Sequence, residues 1–291
     1  MPIRSLGYIH LDVTDLAEWE VFAGEFLGLM PTPAPVDDSR YYRIDHFPSR
    51  LATHLAGTPG LRALGFEVLD RGELAELADA LRAEGVAVIE GDDALCTQRQ
   101  VTGLISFRDP GGNPIEAFYG PVLTHVRLDT PLVSGFVTGA QGFGHAIVAV
   151  EDVSAAYDFY TRVLGFWERN NMRIGDGELF FLACNERHHT LGIMPMPGPG
   201  RLVHVMVEAQ TLDDVGLAID RAERLGVPMQ QTLGRHTNDH MVSFYVYSPE
   251  RYAVELGWGG LRIPQHGPTY AITQGAFWGH KFTPPPEAAT G

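Results

Sequence analysis

Hydrophobic positions along this chain fall into two rhythms that alternate. A short, nearly continuous apolar run gives way to a stretch with a three-to-four-residue apolar spacing, and the succession occurs four times. The runs are Gly7–Val13, Leu61–Val68, Gly142–Val150 and Leu202–Glu208. Each predicts a strand. The periodic stretches that follow are Leu16–Leu27, Glu73–Glu84, Val153–Leu164 and Leu212–Leu225, each ending immediately before a glycine, and they predict amphipathic helices. Several β-rich segments follow every helix. Four copies of about 60 residues therefore cover most of the chain. The predicted fold class is α+β: four βαβββ units in two domains, each a pair of units around a curled mixed sheet.

At 291 residues the chain suits two domains that each bury a core. Pro121, Pro131, Gly135 and Gly139 punctuate an irregular join around 123–140. The expected division is 1–130 and 131–291. A formal net charge of −15 argues against nucleic acid and anionic membrane surfaces as partners. Cys96 and Cys184 are the only cysteines, and no apolar run is long enough for a membrane span. A cytoplasmic protein with two inert thiols is expected.

The repeat frame singles out chemistry. His145 and His204 sit at matching places in the third and fourth strands, 59 residues apart, and Glu255 lies in the apolar stretch Arg251–Trp258 that reads as the fourth unit's last strand. Two imidazoles and one carboxylate on one metal leave open coordination positions, the pattern of non-heme Fe(II) oxygenases. Alternation places Ile147 on the same strand face as His145. The third unit's counterpart of Glu255 should fall near residue 196, where no carboxylate occurs, so one face of the metal should be free. In the first half, His10 matches His145, Glu116 matches Glu255, and the counterpart of His204 is about Ala63. A metal-free N-terminal domain is expected.

The segments Asn185–Leu191, Val203–Glu208, Leu233–His240, Ser243–Tyr245 and Glu255–Gly259, with Ile3–Tyr8 and Trp278-Gly-His280, resemble the type I extradiol ring-cleavage dioxygenases of the vicinal oxygen chelate superfamily. Within that family the resemblance is to the two-domain enzymes acting on 2,3-dihydroxybiphenyl and on the steroid-derived catechol of actinobacterial catabolism. The resemblance spans nearly the whole chain. It implies Fe(II), or Mn(II) on the same ligands, held by His145, His204 and Glu255, with a catechol and O2 as reactants. It also implies His189 as acid/base, His236 and Tyr245 as hydrogen-bond partners of the catecholate, and Asp239 as support for that network. Phe181 and Asn238 should join Ile147 in the substrate pocket. A homo-oligomer, an octamer in type, is implied as well. Elementary chemistry asks for the same parts: a metal acidifying a bound hydroxyl, an imidazole exchanging protons near neutrality, and donors aimed at developing oxyanions.

Plainer readings exist for each residue. His188-His189 reads equally as a surface pair, Asn238-Asp239 as turn chemistry and Tyr245 as core, while His240 reads as structural. A glyoxalase-like isomerase would need the missing second carboxylate, and a metal-free binding module would need no triad. Asn171–Gly177 is short and should shape the substrate mouth.

Overall fold

The computed structural model describes residues 3–265 and 267–285; the outermost ends of the two expected domains, 1–2 and 286–291, lie outside the described residues. Two large sheets account for the architecture. The first contains β1 (Ser5–Val13), β2 (Met30–Thr32), β3 (Ser39–Arg43), β4 (Leu51–Leu55), β5 (Gly60–Glu67), β6 (Ile89–Glu90), β7 (Val101–Arg108) and β8 (Pro114–Pro121). The second contains β9 (Gly144–Val150), β10 (Trp167–Ile174), β11 (Gly177–Ala183), β12 (Leu191–Pro195) and β13 (Arg201–Glu208). It continues with β14 (Met229–His236), β15 (Val242–Tyr247), β16 (Ala253–Trp258), β17 (Tyr270–Ile272) and β18 (Ala276–Trp278).

Their strand orders, β2-β3-β4-β1-β5-β8-β7-β6 and β17-β10-β11-β12-β9-β13-β16-β15-β14-β18, show the repeat directly. In each sheet two units meet through antiparallel first strands, β1 with β5 and β9 with β13, and each first strand pairs in parallel with its own unit's last strand. The expected unit pairing is therefore present in both halves.

Each unit's helix starts where a short polar side chain satisfies exposed backbone N–H groups. Asp15 accepts from Ala17 and Glu18 before α1 (Leu16–Trp19), and Asp70 accepts from Gly72 and Glu73 before α2 (Arg71–Ala83). Asp152 does the same for α4 (Val153–Asp158), and Thr211 for α5 (Leu212–Leu225). Gly28, Gly85, Gly165 and Gly226 follow in the left-handed conformation that ends a helix. The first and third helices depart from expectation after α1 and α4. Residues Glu20–Phe26 and Phe159–Val163 widen into π turns, with Leu27 N–H reaching Phe22 O and Leu164 N–H reaching Phe159 O. The wider turns seat bulky rings in the core. A fifth helix, α3 (Asp93–Arg99), was not foreseen; it lies between β6 and β7.

The helices' apolar faces and both sheets share one continuous core. Phe26 meets Phe244, Phe66 meets Phe166 and Phe107 meets Phe159 edge-on across the two halves. On β9 the alternation is clean: Ala146, Val148 and Val150 face this core, and His145 and Ile147 face the opposite side. That opposite side holds the chemistry. Among the described residues no helix is long and apolar enough to cross a membrane.

Candidate metal centre and its cavity

Register brings the three expected donors together. His145 on β9 stands opposite Met206 of β13, His204 stands opposite Ile147, and Glu255 on β16 lies beside Met206. Their side chains leave adjacent strands on one face and converge. His145 Nε2 and His204 Nε2 are 3.0 Å apart, and Glu255 Oε2 is 3.3 Å from the first and 3.6 Å from the second. Donors at right angles around an ion about 2.1 Å away would be separated by about 3 Å, so the spacing fits a divalent cation.

The chemistry of the donors agrees. Burial, then the nearby His145, pulls the His204 imidazole down to about 3, so it is neutral and its lone pair is free to ligate. Burial opposes the Glu255 charge, but His145 and His236 hold that carboxyl well below its usual range. Glu255 is only 1% exposed, and neither of its oxygens has a hydrogen-bond partner of good geometry. A buried carboxylate in that condition needs a cation.

These donors lie at the base of a cavity of about 410 Å³. Every expected site residue, His189, His236, Tyr245, Asp239, Ile147, Phe181 and Asn238 among them, lines it. His189 stacks on His145 at 4.0 Å and meets the edge of Phe181 at 4.8 Å. Burial first, and His145 next, push its imidazole well below the usual range. Far from being a surface pair, His188 and His189 are buried, with ring nitrogens 3.1 Å apart. His189 Nδ1 is 3.9 Å from Asp239 Oδ2, and His145, His189 and Asp239 form a second, looser donor group. Asp239 also accepts the Met241 N–H, which fixes the turn. His236 Nδ1 lies 3.0 Å from Gly275 O, and because a carbonyl only accepts, that nitrogen carries a proton. Its Nε2 is 2.8 Å from the Tyr245 hydroxyl. Burial opposes charge on His236, but the Glu255 carboxylate outweighs it and raises the imidazole to about 9. Tyr245 is driven well above 10, chiefly by burial, and keeps its proton. His240 is not among the lining residues.

The apolar wall comes from Ile147, Leu179, Phe181 and Ile272, packed with Met172, Ile174, Met194 and Val203. The short 171–177 stretch is no loop. It forms the facing ends of β10 and β11, and Met172 and Ile174 point into the cavity. Ile272 and His280 were not anticipated; they arrive on a late segment whose three-residue strands carry no readable period.

Two sequence equivalences need correction. The third unit's counterpart of Glu255 is Gly192, not a residue near 196. Glu255 pairs with Met206 on one side of the internal two-fold, and Gly192 pairs with Ile147 on the other. A side chain at Gly192 would begin 2.1 Å from Ile147 Cδ1, so this face has no room for a fourth ligand. In the first sheet, Glu116 lies beside Gly65, which stands opposite Tyr8, so Tyr8 and not His10 matches His145. The offset was readable: Asp15 to Asp152 and Gly28 to Gly165 are both 137 residues, and the same step carries His145 to Tyr8. His10 pairs instead with His54, Nδ1 to Nε2 at 2.8 Å. Glu116 is taken by Arg99 and by the Tyr8 hydroxyl.

Fold, repeat and site define one class. The chain belongs to the type I extradiol ring-cleavage dioxygenases of the vicinal oxygen chelate superfamily. Residues 142–256 match the Glyoxalase/Bleomycin resistance protein/Dioxygenase superfamily, and residues 6–54 match the first domain of dihydroxybiphenyl dioxygenase. The chain is 40% identical to an iron-dependent extradiol dioxygenase of Rhodococcus jostii, over 97% of this chain and 98% of that one. It is 43% identical to a biphenyl-2,3-diol 1,2-dioxygenase of Paraburkholderia xenovorans, over 97% and 96%. Among solved structures, a halotolerant catechol dioxygenase superposes with a TM-score of 0.93 at 36% identity, covering 97% of this chain and 95% of that one.

Proposed function

We propose that this chain opens the ring of an aromatic catechol with O2, cleaving beside the two hydroxyls, and that its preferred catechol carries a bulky apolar substituent. The observation that carries this reading is the convergence of His145, His204 and Glu255 at the floor of a cavity that is apolar on one side and lined by proton-exchanging groups on the other. Those three residues would hold Fe(II), or Mn(II) on the same donors, and the ion supplies the Lewis-acid and redox chemistry that couples catechol to O2. Both atoms of O2 end in the ring-opened product, so no external reductant enters the balance.

The chain's own groups divide the remaining work. His189 is neutral and buried, so it can take a proton from a catechol hydroxyl and return it to a developing oxyanion. Tyr245 retains its proton and His236 keeps one on Nδ1; their linked hydrogen bond forms a second polar wall facing Glu255. Asp239 fixes the turn that follows His236, and Asn238 lines the cavity as a substrate contact. Ile147, Phe181, Leu179 and Ile272 exclude water and favour an apolar substituent by roughly 25 cal/mol per Å² buried. The half spanning 131–291 is catalytic in this reading, and 1–130 serves as a metal-free scaffold. A cytoplasmic homo-oligomer acting in aromatic catabolism completes it.

A glyoxalase-like isomerase is not favoured, because Gly192 and Ile147 leave no place for its second carboxylate. The test is an O2 electrode with a catechol panel, on protein loaded anaerobically with Fe(II) or with Mn(II). One O2 should be consumed per catechol with a yellow product, and kcat/KM should be higher for biphenyl-2,3-diol than for catechol. Turnover without O2, or no O2 uptake across the panel, would overturn it.

A further inference from the structure

His280 reaches the cavity on a strap that joins the two edges of the curled second sheet. The segment 270–278 contributes β17 at one edge, beside β10, and β18 at the other, beside β14. The strap then continues antiparallel along β14. Thr232 N–H donates to Lys281 O, Lys281 N–H donates to Thr232 Oγ1, and Thr283 N–H donates to Gln230 O.

At His280 the approach is closer than any side chain would permit. A Cβ at Gly234 would lie 2.5–2.6 Å from the His280 backbone nitrogen and ring, and a Cβ at Gly279 would lie 2.1 Å from Leu233 O. His280 itself is left-handed, φ 49°, a conformation that non-glycine residues seldom adopt. Two glycines and a strained backbone thus hold one imidazole in place. Its ring lies on that of His236, centroids 4.1 Å apart and planes within 19°, and presents an edge to Tyr245 at 5.6 Å. Neither of its nitrogens has a hydrogen-bond partner, and both are buried. Its contacts with His236 and Tyr245 are made through the ring.

We propose that His280 is a positioning residue for ring opening. Its stacked ring fixes the plane of His236, whose Nδ1 is tied to Gly275 O on the same strap, so that Nε2 stays aimed between the Tyr245 hydroxyl and Glu255 Oε1. The inference rests on the dioxygenase reading for its kinetic consequence, but the packing relation holds without it.

The first test therefore needs no turnover. In metal-free protein, the imidazole ¹H–¹⁵N signals of His236 should shift in His280→Ala and return close to their original positions in His280→Phe. Unchanged His236 signals in His280→Ala overturn the proposal whether or not the enzyme turns over. The second test is a double-mutant cycle on the iron-loaded enzyme. His280→Ala should lower kcat by roughly 10- to 100-fold, the scale of a misplaced catalytic group, with KM and iron content little changed. The same change made in His236→Ala should add little further loss, and His280→Phe should recover most of kcat. Additive losses, or His280→Phe failing as badly as His280→Ala, overturn the inference and leave the dioxygenase reading intact. Absence of O2 uptake by the parent with every catechol overturns that reading instead.

Discussion

The Arg99 guanidinium grips the Glu116 carboxylate through two hydrogen bonds of 2.8 Å each, at the place in the first sheet that corresponds to Glu255 in the second. Glu116 shares its row with Gly65 and Tyr8, as Glu255 shares its row with Met206 and His145. One buried carboxylate is neutralised by a side chain that α3 delivers. The other faces imidazoles, those of His145, His204 and His236, at 3.3–3.6 Å.

Arg99→Ala should therefore destabilise the protein by about 3–5 kcal/mol, because Glu116 would be left charged, buried and bonded only to Tyr8. Arg99→Met combined with Glu116→Leu should recover most of that loss. Urea titration checks both; an unaltered midpoint in the single variant would show that the pair is dispensable.

Metal content separates the two halves. His204→Ala should lower metal affinity by well over about 10- to 100-fold, the effect of losing even an outer-shell partner. His10→Ala should leave about one metal per chain, because His10 belongs to the His54 pair and not to the row of Glu116. Metal analysis after equilibrium dialysis decides it.

His189→Gln should retain its metal and its anaerobic catechol affinity while kcat falls by about 10²- to 10⁴-fold, the usual worth of a positioned acid/base. A parallel loss of metal would instead place His189 in the looser donor group it forms with His145 and Asp239.

Gly192→Ala should cost about 1–3 kcal/mol through overpacking, since its Cβ would meet Ile147 Cδ1. Ile147→Val removes that methyl, so the double variant should be more stable than Gly192→Ala alone. If the melting temperatures of the two were equal, the clash would be relieved by some other movement.

Much of this architecture is legible in the chain because its signals are local. An apolar run, an Asp or Thr cap and a terminal glycine recur in four frames, and each reports on its neighbours in sequence. The convergence of His145, His204 and Glu255 was legible for the same reason, each being tied to those frames. Residue type alone pairs His10 with His145, whereas the helix caps Asp15 and Asp152, 137 residues apart, pair Tyr8 with it. The counterpart of Glu255 falls at Gly192 and not near 196 because the third unit is four residues shorter than the fourth between its first and last strands. α3, Arg99 and the stacking role of His280, whose motif alone was visible, were beyond reach, since each matters through a partner far along the chain and none sits in a periodic run.

The strap has a consequence for solubility. The outermost strands of the second sheet, β17 and β18, are three residues each and belong to one nine-residue segment. Unpaired edge N–H and C=O groups invite pairing with other chains, and short guards at the rim are a known defence. Here a single segment guards both rims. Losing it would uncover β10 and β14 together, giving every molecule two sticky edges instead of one, which is the requirement for open-ended stacking rather than simple dimerisation.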